Sequence, residues 1–418
     1  MRLHNFFHHH LSRSFIIMAL RSVSLGVKFL LTLYIARFMG FESLGLYGLI
    51  SAASIMAPSI LGLGLMHVIS RKAVTQSLDE ITHALVRYGC WVALVYVPLV
   101  AVAAVSGLAA DKAFLFSIVS LIVLAEHVNQ DLYALVLNLS KPFFANFLHF
   151  IRSALWAVIF MALAFFERSF LTMEYLLIFW LCGSVLSLLG FFIMARKWPW
   201  PLDVRFSTFR KWLAEEFRVS RVNYMTGLAS TGSQYLDRYI VTMFLGLELT
   251  GVYVFFMQAT SAMANLLNTG VIQIARPKMV RAFKNKSGDY MAIYKDCLKH
   301  AVLFAIAMAA AGWVAMYLLI PHINRPLAAE WFPVFWVILI AFVMGVIEAT
   351  QQLIFYSQHR DDITLKVYIV ALVSIVTANI VLIPLLGLWG VACSLVIVGL
   401  LKMAVQRFYI RSLAEKLS

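Results

Sequence analysis

The sequence predicts an all-α integral membrane protein with about 12 transmembrane helices, arranged as two pseudo-symmetric lobes of six helices. Composition is the first observation behind this prediction, because 62% of the 418 residues are hydrophobic and only 13% are charged. A soluble domain has about half apolar and a quarter charged residues, so the excess of apolar side chains must face lipid. The other two observations are long apolar runs and a repeated stretch of ten residues.

The apolar runs have the length of membrane-spanning helices. A bilayer core about 30 Å thick requires roughly 20 apolar residues per helix. No alternation of apolar and polar residues recurs at the spacing of barrel strands, which leaves a helical bundle. The 12 runs lie near 14–38, 44–68, 83–107, 113–139, 143–166, 173–195, 219–245, 250–275, 297–320, 331–355, 365–384 and 389–410.

The repeated stretch reads FMGFESLGLY at 38–47 and FLGLELTGVY at 244–253. Both copies have the same residue at five of the ten positions, with a constant offset of 206, close to half the chain length. Such an offset indicates an internal duplication. The identical pairs are Phe38 and Phe244, Gly40 and Gly246, Glu42 and Glu248, Gly45 and Gly251, and Tyr47 and Tyr253.

Each copy falls between two predicted spans, so we interpret it as the outer hairpin of one lobe. Gly40 and Gly246 suit the end of a helix, where the backbone adopts a positive φ. Glu42 and Glu248 would then lie at the start of the next helix, where a carboxylate faces the positive end of the helix dipole. This pattern favours a structural role for the repeat over a functional one.

The duplication also predicts the division of the chain. A basic cytoplasmic loop at 196–218 separates an N-terminal lobe (1–195) from a C-terminal lobe (219–418). Because each lobe has an even number of helices, both enter the membrane from the same side. We therefore expect the lobes to be related by rotation about the membrane normal.

The distribution of basic residues predicts the orientation. Most of the 34 Lys and Arg residues lie in the termini and in alternate loops, whereas the other set of loops has only Lys112, Arg168 and Arg325. Basic residues stay on the cytoplasmic side, so both termini are predicted to be cytoplasmic. This asymmetry accounts for the net charge of +14, and no nucleic-acid partner is expected.

Without ligand-like cysteine spacings or a Walker loop, no metal, cofactor or direct use of ATP is expected.

Three basic residues lie deep within predicted spans. Arg21 and Lys28 are seven residues apart on one face of the first span, and Arg152 lies midway along the fifth. An ionisable group at this depth costs several kcal/mol unless it faces a cavity or a partner. We expect the three cations to line a water-filled cavity between the lobes that attracts a phosphate or pyrophosphate.

Other polar residues leave alternatives open. His127 is one helical turn from Asp131 and can pair with it. Polar residues recur along the eighth span at Gln258, Ser261, Asn265 and Asn268, either lining the cavity or bonding to other helices. Arg87, Arg221 and Lys402 lie close enough to the cytoplasmic side to extend their side chains into water there.

Several segments resemble the polysaccharide flippases of the Wzx type, which belong to the multidrug/oligosaccharidyl-lipid/polysaccharide exporter superfamily. These segments are RFMGFESLGLYGL, YLDRYIVTMFLGLELTGVY followed by IARPKMVRAF, and LIPLLGLWGVACS. The resemblance implies alternating access between two six-helix lobes in the bacterial inner membrane. The implied substrate is a polyprenyl-pyrophosphate-linked oligosaccharide, such as an O-antigen repeat unit. Membrane lipid, H⁺ or Na⁺, a polysaccharide polymerase and the chain-length machinery are implied partners.

This interpretation assigns roles to ten residues. The candidates for substrate binding and translocation are Arg21, Lys28, Arg152, Arg238, Gln258 and Asn265, and those for ion coupling are Glu126, Asp131, Asp237 and Glu348. One alternative is a multidrug or organic-ion antiporter of the same superfamily, although cationic drugs favour an acidic cavity. Another is a membrane polysaccharide polymerase, for which the short outer loops argue against a catalytic domain. The protein is therefore expected to be a transporter and not an enzyme.

Overall fold

The computed structural model describes residues 2–105, 110–201, 206–286 and 288–414. These residues are helical apart from short turns, and none of them lies in a strand. The α-helices are α1 (Arg2–Tyr34), α2 (Phe41–Leu61), α3 (Leu65–Lys72), α4 (Leu78–Val105), α5 (Ala110–Asn138), α6 (Pro142–Phe150), α7 (Trp156–Phe166), α8 (Met173–Met194), α9 (Phe206–Leu267), α10 (Gln273–Lys284), α11 (Tyr290–Ile323), α12 (Pro326–Glu330), α13 (Phe332–Ser357), α14 (Asp361–Leu386) and α15 (Leu388–Ala414). The described residues also form π-helical turns at Ile35–Met39, Ile151–Leu155 and Asn268–Ile272 and a 3₁₀ turn at Arg168–Phe170.

The all-α membrane fold predicted from the sequence is confirmed. Within the described ranges, 11 helical stretches are long and apolar enough to cross a membrane. The longest, Thr208–Lys284, has 77 residues and would measure roughly 115 Å if straight, nearly four times the thickness of a bilayer core. It is broken at Gly246 and includes the predicted seventh and eighth spans. The two termini, Met1 and 415–418, lie outside the described residues.

The two repeated hairpins turn at their glycines, as predicted. Gly40 has φ 93° and ψ 170°, and Gly246 has φ 80° and ψ 176°. These angles lie in an extended region that is accessible essentially only to glycine, and not in the left-handed helical region expected at a helix end. Glu42 lies in the first turn of α2, and Glu248 follows Gly246 by two residues. Both side chains are exposed at the start of a helix, as expected for a role at the helix dipole.

Two segments differ from the sequence prediction. The predicted second span, 44–68, is not one helix, because α2 ends at Leu61 and a turn precedes α3. That turn contains Leu63 at φ 51° and Gly64 at φ 67°, which are incompatible with a continuous right-handed helix. In addition, the predicted loop 196–218 is helical from Phe206, where α9 begins; residues 202–205 lie outside the described part.

The chain forms two compact units. Unit 1 consists of Met1–Leu31 and Ile50–Tyr224, and unit 2 of Thr32–Leu49 and Met225–Ser418. The start of α9 belongs to unit 1, where Glu216 pairs with Lys72 of α3 and the Ser220 hydroxyl donates to the Leu63 carbonyl at 2.8 Å. Phe209 and Trp212 of this part of α9 are buried in the apolar core of unit 1. The predicted lobe boundaries stay a prediction.

Within unit 2, the two copies of the repeat contact each other. A Cβ atom added at Gly45 would lie 2.1 Å from the carbonyl oxygen of Leu247, and one added at Gly251 would lie 1.9 Å from the carbonyl oxygen of Phe41. Phe41 and Leu247 are separated by the repeat offset, so the contact is reciprocal. Reciprocal contacts of this kind arise when two copies are related by a two-fold rotation. Glycine allows the two backbones to approach this closely.

Candidate functional site

The Arg21 side chain of α1 is held by neutral groups in unit 1. Its Nε donates to Asn146 Oδ1 at 2.7 Å, and its Nη2 donates to the Tyr133 hydroxyl at 2.7 Å. Tyr133 lies on α5 and Asn146 on α6, so three helices fix the position of the guanidinium. Neither partner carries a charge, and the positive charge of Arg21 is therefore oriented but not cancelled.

Arg152 lies in the π-helical turn Ile151–Leu155, an irregularity that is frequent at functional sites. Its Nη1 is 3.4 Å from Glu126 Oε2, and its Nη2 is 3.2 Å from His149 Nδ1. Glu126 Oε1 also accepts hydrogen bonds from Trp180 Nε1 at 3.1 Å and from the Ser184 hydroxyl at 2.6 Å. Glu126 is thus the counterion of Arg152 in this structure, and its predicted ion-coupling role stays a prediction.

Lys28 belongs to the same group of charges. It interacts electrostatically with Arg152 and Glu126, and Arg21, Lys28 and Arg152 all act on His149. We call Arg21, Lys28, Arg152, Glu126 and His149 the cation cluster. The cluster contains three basic residues and one carboxylate. The structure therefore brings together the three cations that the sequence singled out.

Unit 2 contains a polar cavity of about 500 Å³. Asp237 accepts hydrogen bonds from the Arg238 backbone amide at 2.7 Å and from the Tyr253 hydroxyl. The Arg238 guanidinium donates to the Gly48 carbonyl at 3.2 Å, and its centre lies 4.9 Å from the centroid of the Tyr235 ring. The polar residues that line this cavity are Ser233, Gln234, Tyr235, Asp237, Arg238, Thr260, Ser261, Asn265, Asn268, Glu348 and Lys402.

The charges that line this cavity are balanced. Lys402 Nζ is 2.9 Å from Glu348 Oε2, and Gln406 Nε2 donates to Glu348 Oε1 at 3.2 Å. Asp237 and Arg238 are the second pair of oppositely charged residues. The cavity lining therefore contains two carboxylates and two cations. It therefore presents dipoles and hydroxyl groups to a ligand, with no excess charge.

The candidate Asp131 lies in a separate network of unit 1. Its Oδ2 is 3.1 Å from His127 Nε2, which confirms the proximity predicted from their spacing of one turn. The Tyr88 hydroxyl also donates to Asp131, and the Tyr96 hydroxyl lies 2.9 Å from His127 Nδ1. Tyr88, Tyr96 and Asp131 line an otherwise apolar cavity of about 970 Å³.

Nine of the ten predicted residues thus fall into three groups. The cation cluster contains Arg21, Lys28, Arg152 and Glu126. The unit 2 cavity is lined by Arg238, Asn265, Asp237 and Glu348. Asp131 lies apart from both groups. Gln258 is half-buried and does not line the unit 2 cavity. Sequence reasoning missed His149, although it lies one turn before Arg152. It placed Lys402 in cytoplasmic water, whereas Lys402 lines this cavity and pairs with Glu348.

Among the described residues, no three His, Cys, Asp or Glu side chains come close enough to hold a metal. The four cysteines are free thiols.

Comparison with solved structures gives the fold. The chain superposes on the lipid II flippase MurJ in an inward closed conformation with a TM-score of 0.74, at 14% identity, covering 95% of this chain and 87% of that one. It also superposes on an inward-facing multidrug resistance transporter of the MATE family, in the MOP superfamily, with a TM-score of 0.70. That comparison has 16% sequence identity and covers 95% of this chain and 99% of that one. Superposition on a crystal structure of MATE in complex with MaL6 gives a TM-score of 0.61, at 15% sequence identity. It covers 97% of this chain and 96% of that one.

The chain has the same fold as these solved structures of a lipid II flippase and of MATE-family transporters. No protein-family model matches the sequence. No curated protein matches it either. The protein is a multi-pass integral membrane protein, and its structural neighbours are transporters and not enzymes. Both a flippase of lipid-linked substrates and a drug antiporter have this fold, so the charges of the site must discriminate between them.

Proposed function

We propose that the protein is a flippase that moves a polyprenyl-pyrophosphate-linked oligosaccharide across the bacterial inner membrane, and that the cation cluster binds its pyrophosphate. The observation that carries this proposal is the convergence of three basic side chains, Arg21, Lys28 and Arg152, around His149. Arg21, Lys28 and Arg152 face one carboxylate, Glu126, which is already bound to Arg152. Pyrophosphate is the kind of anion that several converging basic side chains bind.

The hydrogen-bonding capacity of Arg21 also fits a phosphate. A guanidinium has five N–H donors in a rigid planar fork. Two of them are used by Asn146 and Tyr133, which fix the side chain, and three remain for a ligand. A preorganised guanidinium binds phosphate oxygens with two parallel hydrogen bonds, which are stronger than hydrogen bonds between neutral groups.

The charge distribution argues against an antiporter of organic cations. A cationic drug requires unpaired carboxylates, yet Glu126 is held by Arg152, and Glu348 by Lys402. Bringing another cation next to Arg21 and Lys28 would add like-charge repulsion in a region of low dielectric. Glu126 and Glu348 are thus already engaged by cations.

The lipid-linked substrate class is supported by two further observations. One solved structure with the same fold is that of a lipid II flippase. The sequence also resembles polysaccharide flippases of the Wzx type in its repeated hairpins. From these we infer that the oligosaccharide is an O-antigen or related surface-polysaccharide unit, with both termini of the protein in the cytoplasm. Contact with the polymerase and chain-length machinery follows from the same proposal.

Binding of inorganic pyrophosphate to the purified protein tests the role of the cluster. A hydrogen bond to a charged group contributes about 1.5–3 kcal/mol, so Arg21→Ala and Lys28→Ala should each weaken binding by about 10- to 150-fold. Lys28→Arg should retain part of the affinity, because the charge is kept. Arg37→Ala is the matched control, since Arg37 is an exposed cation of the π-helical turn that continues α1. Unchanged affinity in both cluster variants would refute the assignment.

In cells, Arg21→Ala and Lys28→Ala should also abolish the surface polymer while protein levels stay normal. Normal export of polymer by both variants would exclude the cluster from translocation.

A further inference from the structure

The polar cavity of unit 2 is lined by two chemically different sets of residues. Its volume of about 500 Å³ lies within the range of roughly 300–1,000 Å³ that is typical of small-molecule sites. Except for the Glu348–Lys402 pair, all of its polar side chains come from α9 and from Asn268 directly after it. The other helices, α13, α14 and α15, contribute apolar residues such as Ile338, Phe342, Val346, Ile375, Leu395 and Val398. A ligand in this cavity would therefore contact polar groups of one helix and apolar groups of three others.

Two amide side chains of α9 have hydrogen-bonding groups left for a ligand. Asn265 Nδ2 donates to the Ser261 carbonyl at 2.9 Å, and Gln234 Nε2 donates to the Ser230 hydroxyl at 3.1 Å. An amide side chain has two N–H donors and one carbonyl acceptor. Within the described part of the chain, each of these amides thus keeps one donor and its carbonyl oxygen. A donor and an acceptor on one planar group suit hydroxyl groups, which both donate and accept.

The depth of these amides indicates that something must satisfy them. Gln234 and Asn265 lie in the interior of the seventh and eighth predicted spans, and both are exposed residues that line the cavity. An amide that lacks hydrogen-bond partners is costly in an apolar environment, so it requires water or a ligand. The π-helical turn Asn268–Ile272 adds an irregularity of the kind that is frequent at functional sites, and both of its end residues line the cavity.

The charges of the lining select the class of ligand. Asp237 accompanies Arg238, and Lys402 Nζ is 2.9 Å from Glu348 Oε2, so each cation has a carboxylate beside it. A ligand with a net charge would remain without a counterion, which is expensive where water is scarce. A lipid chain would instead leave the amides and hydroxyl groups of α9 without partners. A neutral sugar meets both requirements, because its hydroxyl groups suit the polar residues and the C–H groups of its ring suit the apolar ones.

Small residues on α13 keep space open for a ligand. Ala341, Gly345 and Ala349 follow one another at intervals of one helical turn, and all three line the cavity. A Cβ atom added at Gly345 would have no atom within 4 Å. Close packing therefore does not require glycine here, and glycine is unfavourable inside a helix. A larger side chain at Gly345 would occupy cavity space without displacing a neighbouring group at its first atom.

We propose that the unit 2 cavity binds a neutral sugar of the lipid-linked oligosaccharide. The source of the sugar rests on the proposed function, whereas the binding of a free sugar does not. Gln234 and Asn265 exchange hydrogen bonds with its hydroxyl or acetamido groups, and Phe342 and Val346 contact its C–H groups. The two pairs of charged residues remain paired with each other when the sugar is bound.

Binding of a sugar without lipid or phosphate tests this site. The probe is the oligosaccharide released by mild acid from the lipid-linked pool of the cells that make the protein. Saturation-transfer NMR with the protein in nanodiscs measures its affinity. Gly345→Leu places a side chain in the cavity and should weaken binding by about 5- to 150-fold, the equivalent of overpacking. Asn265→Leu removes hydrogen bonds between neutral groups and should weaken it by about 2- to 12-fold.

Gly89→Leu is the matched control for the cavity-filling variant. Gly89 is a helical glycine of α4 in unit 1, and a Cβ atom added there also has no atom within 4 Å. This variant should bind the oligosaccharide like the unmodified protein. If Gly345→Leu does not fold, Asn265→Leu and the corresponding Gln234→Leu give the same test without filling the cavity.

The salt dependence of binding tests the neutral class of the sugar. Affinity for the oligosaccharide should hardly change between about 0.05 and 0.5 M salt, because screening acts only on charged partners. Affinity for inorganic pyrophosphate should fall over the same range. A steep loss of oligosaccharide affinity with salt would show that charge is recognised and would overturn the neutral class.

If the oligosaccharide does not bind, or binds equally well to the unmodified protein, Gly345→Leu and Asn265→Leu, the sugar site is wrong. Binding of pyrophosphate, and its loss in Arg21→Ala, is measured separately on the cation cluster. Failure of the sugar site would therefore leave the proposed function standing. Conversely, pyrophosphate binding that is unaffected by the cluster variants would refute the proposed function without changing the result for the sugar.

Discussion

The contact between the two copies of the repeat predicts that alanine at Gly45 or Gly251 destabilises the protein. The added Cβ atom would lie 2.1 Å from the Leu247 carbonyl oxygen in the first case and 1.9 Å from the Phe41 carbonyl oxygen in the second. Ordinary van der Waals contact begins near 3.4 Å, so the backbones must separate by more than 1 Å. Overpacking of this kind costs about 1–3 kcal/mol of the free energy of unfolding.

The two substitutions should also be coupled. Once one alanine has separated the hairpins, the second meets little further resistance, so the double variant should lose less stability than both single variants together. Residues in direct contact show such interaction energies of about 0.5–3 kcal/mol. Reversible denaturation in detergent, with helical circular dichroism as the signal, measures all three proteins.

Two other glycines separate the contact from general effects of the substitution. Gly26→Ala should be neutral or stabilising, because nothing lies within 4 Å of the added atom and alanine favours the helix. A Cβ atom added at Gly246 would also have no atom within 4 Å. Gly246→Ala should nevertheless destabilise the protein, because alanine rarely adopts a φ of 80°. If Gly45→Ala and Gly251→Ala were as stable as Gly26→Ala, or if their effects simply added, the reciprocal contact would be refuted.

Glu126→Gln should lower the free energy of unfolding by about 3–5 kcal/mol, because it leaves Arg152 buried without its counterion. A negligible loss of stability in denaturation experiments would show that the ion pair does not fix Arg152. Replacing Lys402 with Met and Glu348 with Leu together should cost less than either change alone, since neither charge is then left unpaired. Strict additivity in a double-mutant cycle would contradict that pairing. Finally, reporter fusions near Arg325 and at the C terminus should report opposite sides of the membrane, and the same side for both would disprove the predicted topology.

The helices were predictable because the membrane imposes their length. An apolar run of about 20 residues has few alternatives to a spanning helix, so the predicted spans have helical counterparts in the structure. The hairpins were predictable because the backbone angles at Gly40 and Gly246 are accessible essentially only to glycine. The break after Leu61 was missed because the residues around Gly64 are as apolar as a continuous span. In that case, local backbone conformation and not hydropathy determines where the helix ends.

The site was only partly predictable. Arg21 and Lys28 share a helix, so their spacing places them on one face without knowledge of the fold. Their partners Tyr133 and Asn146 come from other helices, and only tertiary packing brings them together. Lys402 was interpreted as extending into cytoplasmic water, whereas Glu348 holds it at the polar cavity. Depth in the membrane can be estimated from the sequence, but the partner of a charge cannot.

Translocation of a lipid-linked substrate by the purified protein tests the account most directly. Liposomes containing the protein and a fluorescently labelled polyprenyl-pyrophosphate oligosaccharide are exposed to a membrane-impermeant glycosidase, which cleaves only outward-facing sugars. The protein should accelerate the exposure of inner-leaflet sugars, Arg21→Ala and Lys28→Ala should slow it at least about tenfold, and Arg37→Ala should not. If the unmodified protein gave the same rate as empty liposomes, or if both cluster variants flipped the lipid at the unmodified rate, the cation cluster would not be the pyrophosphate site of a flippase.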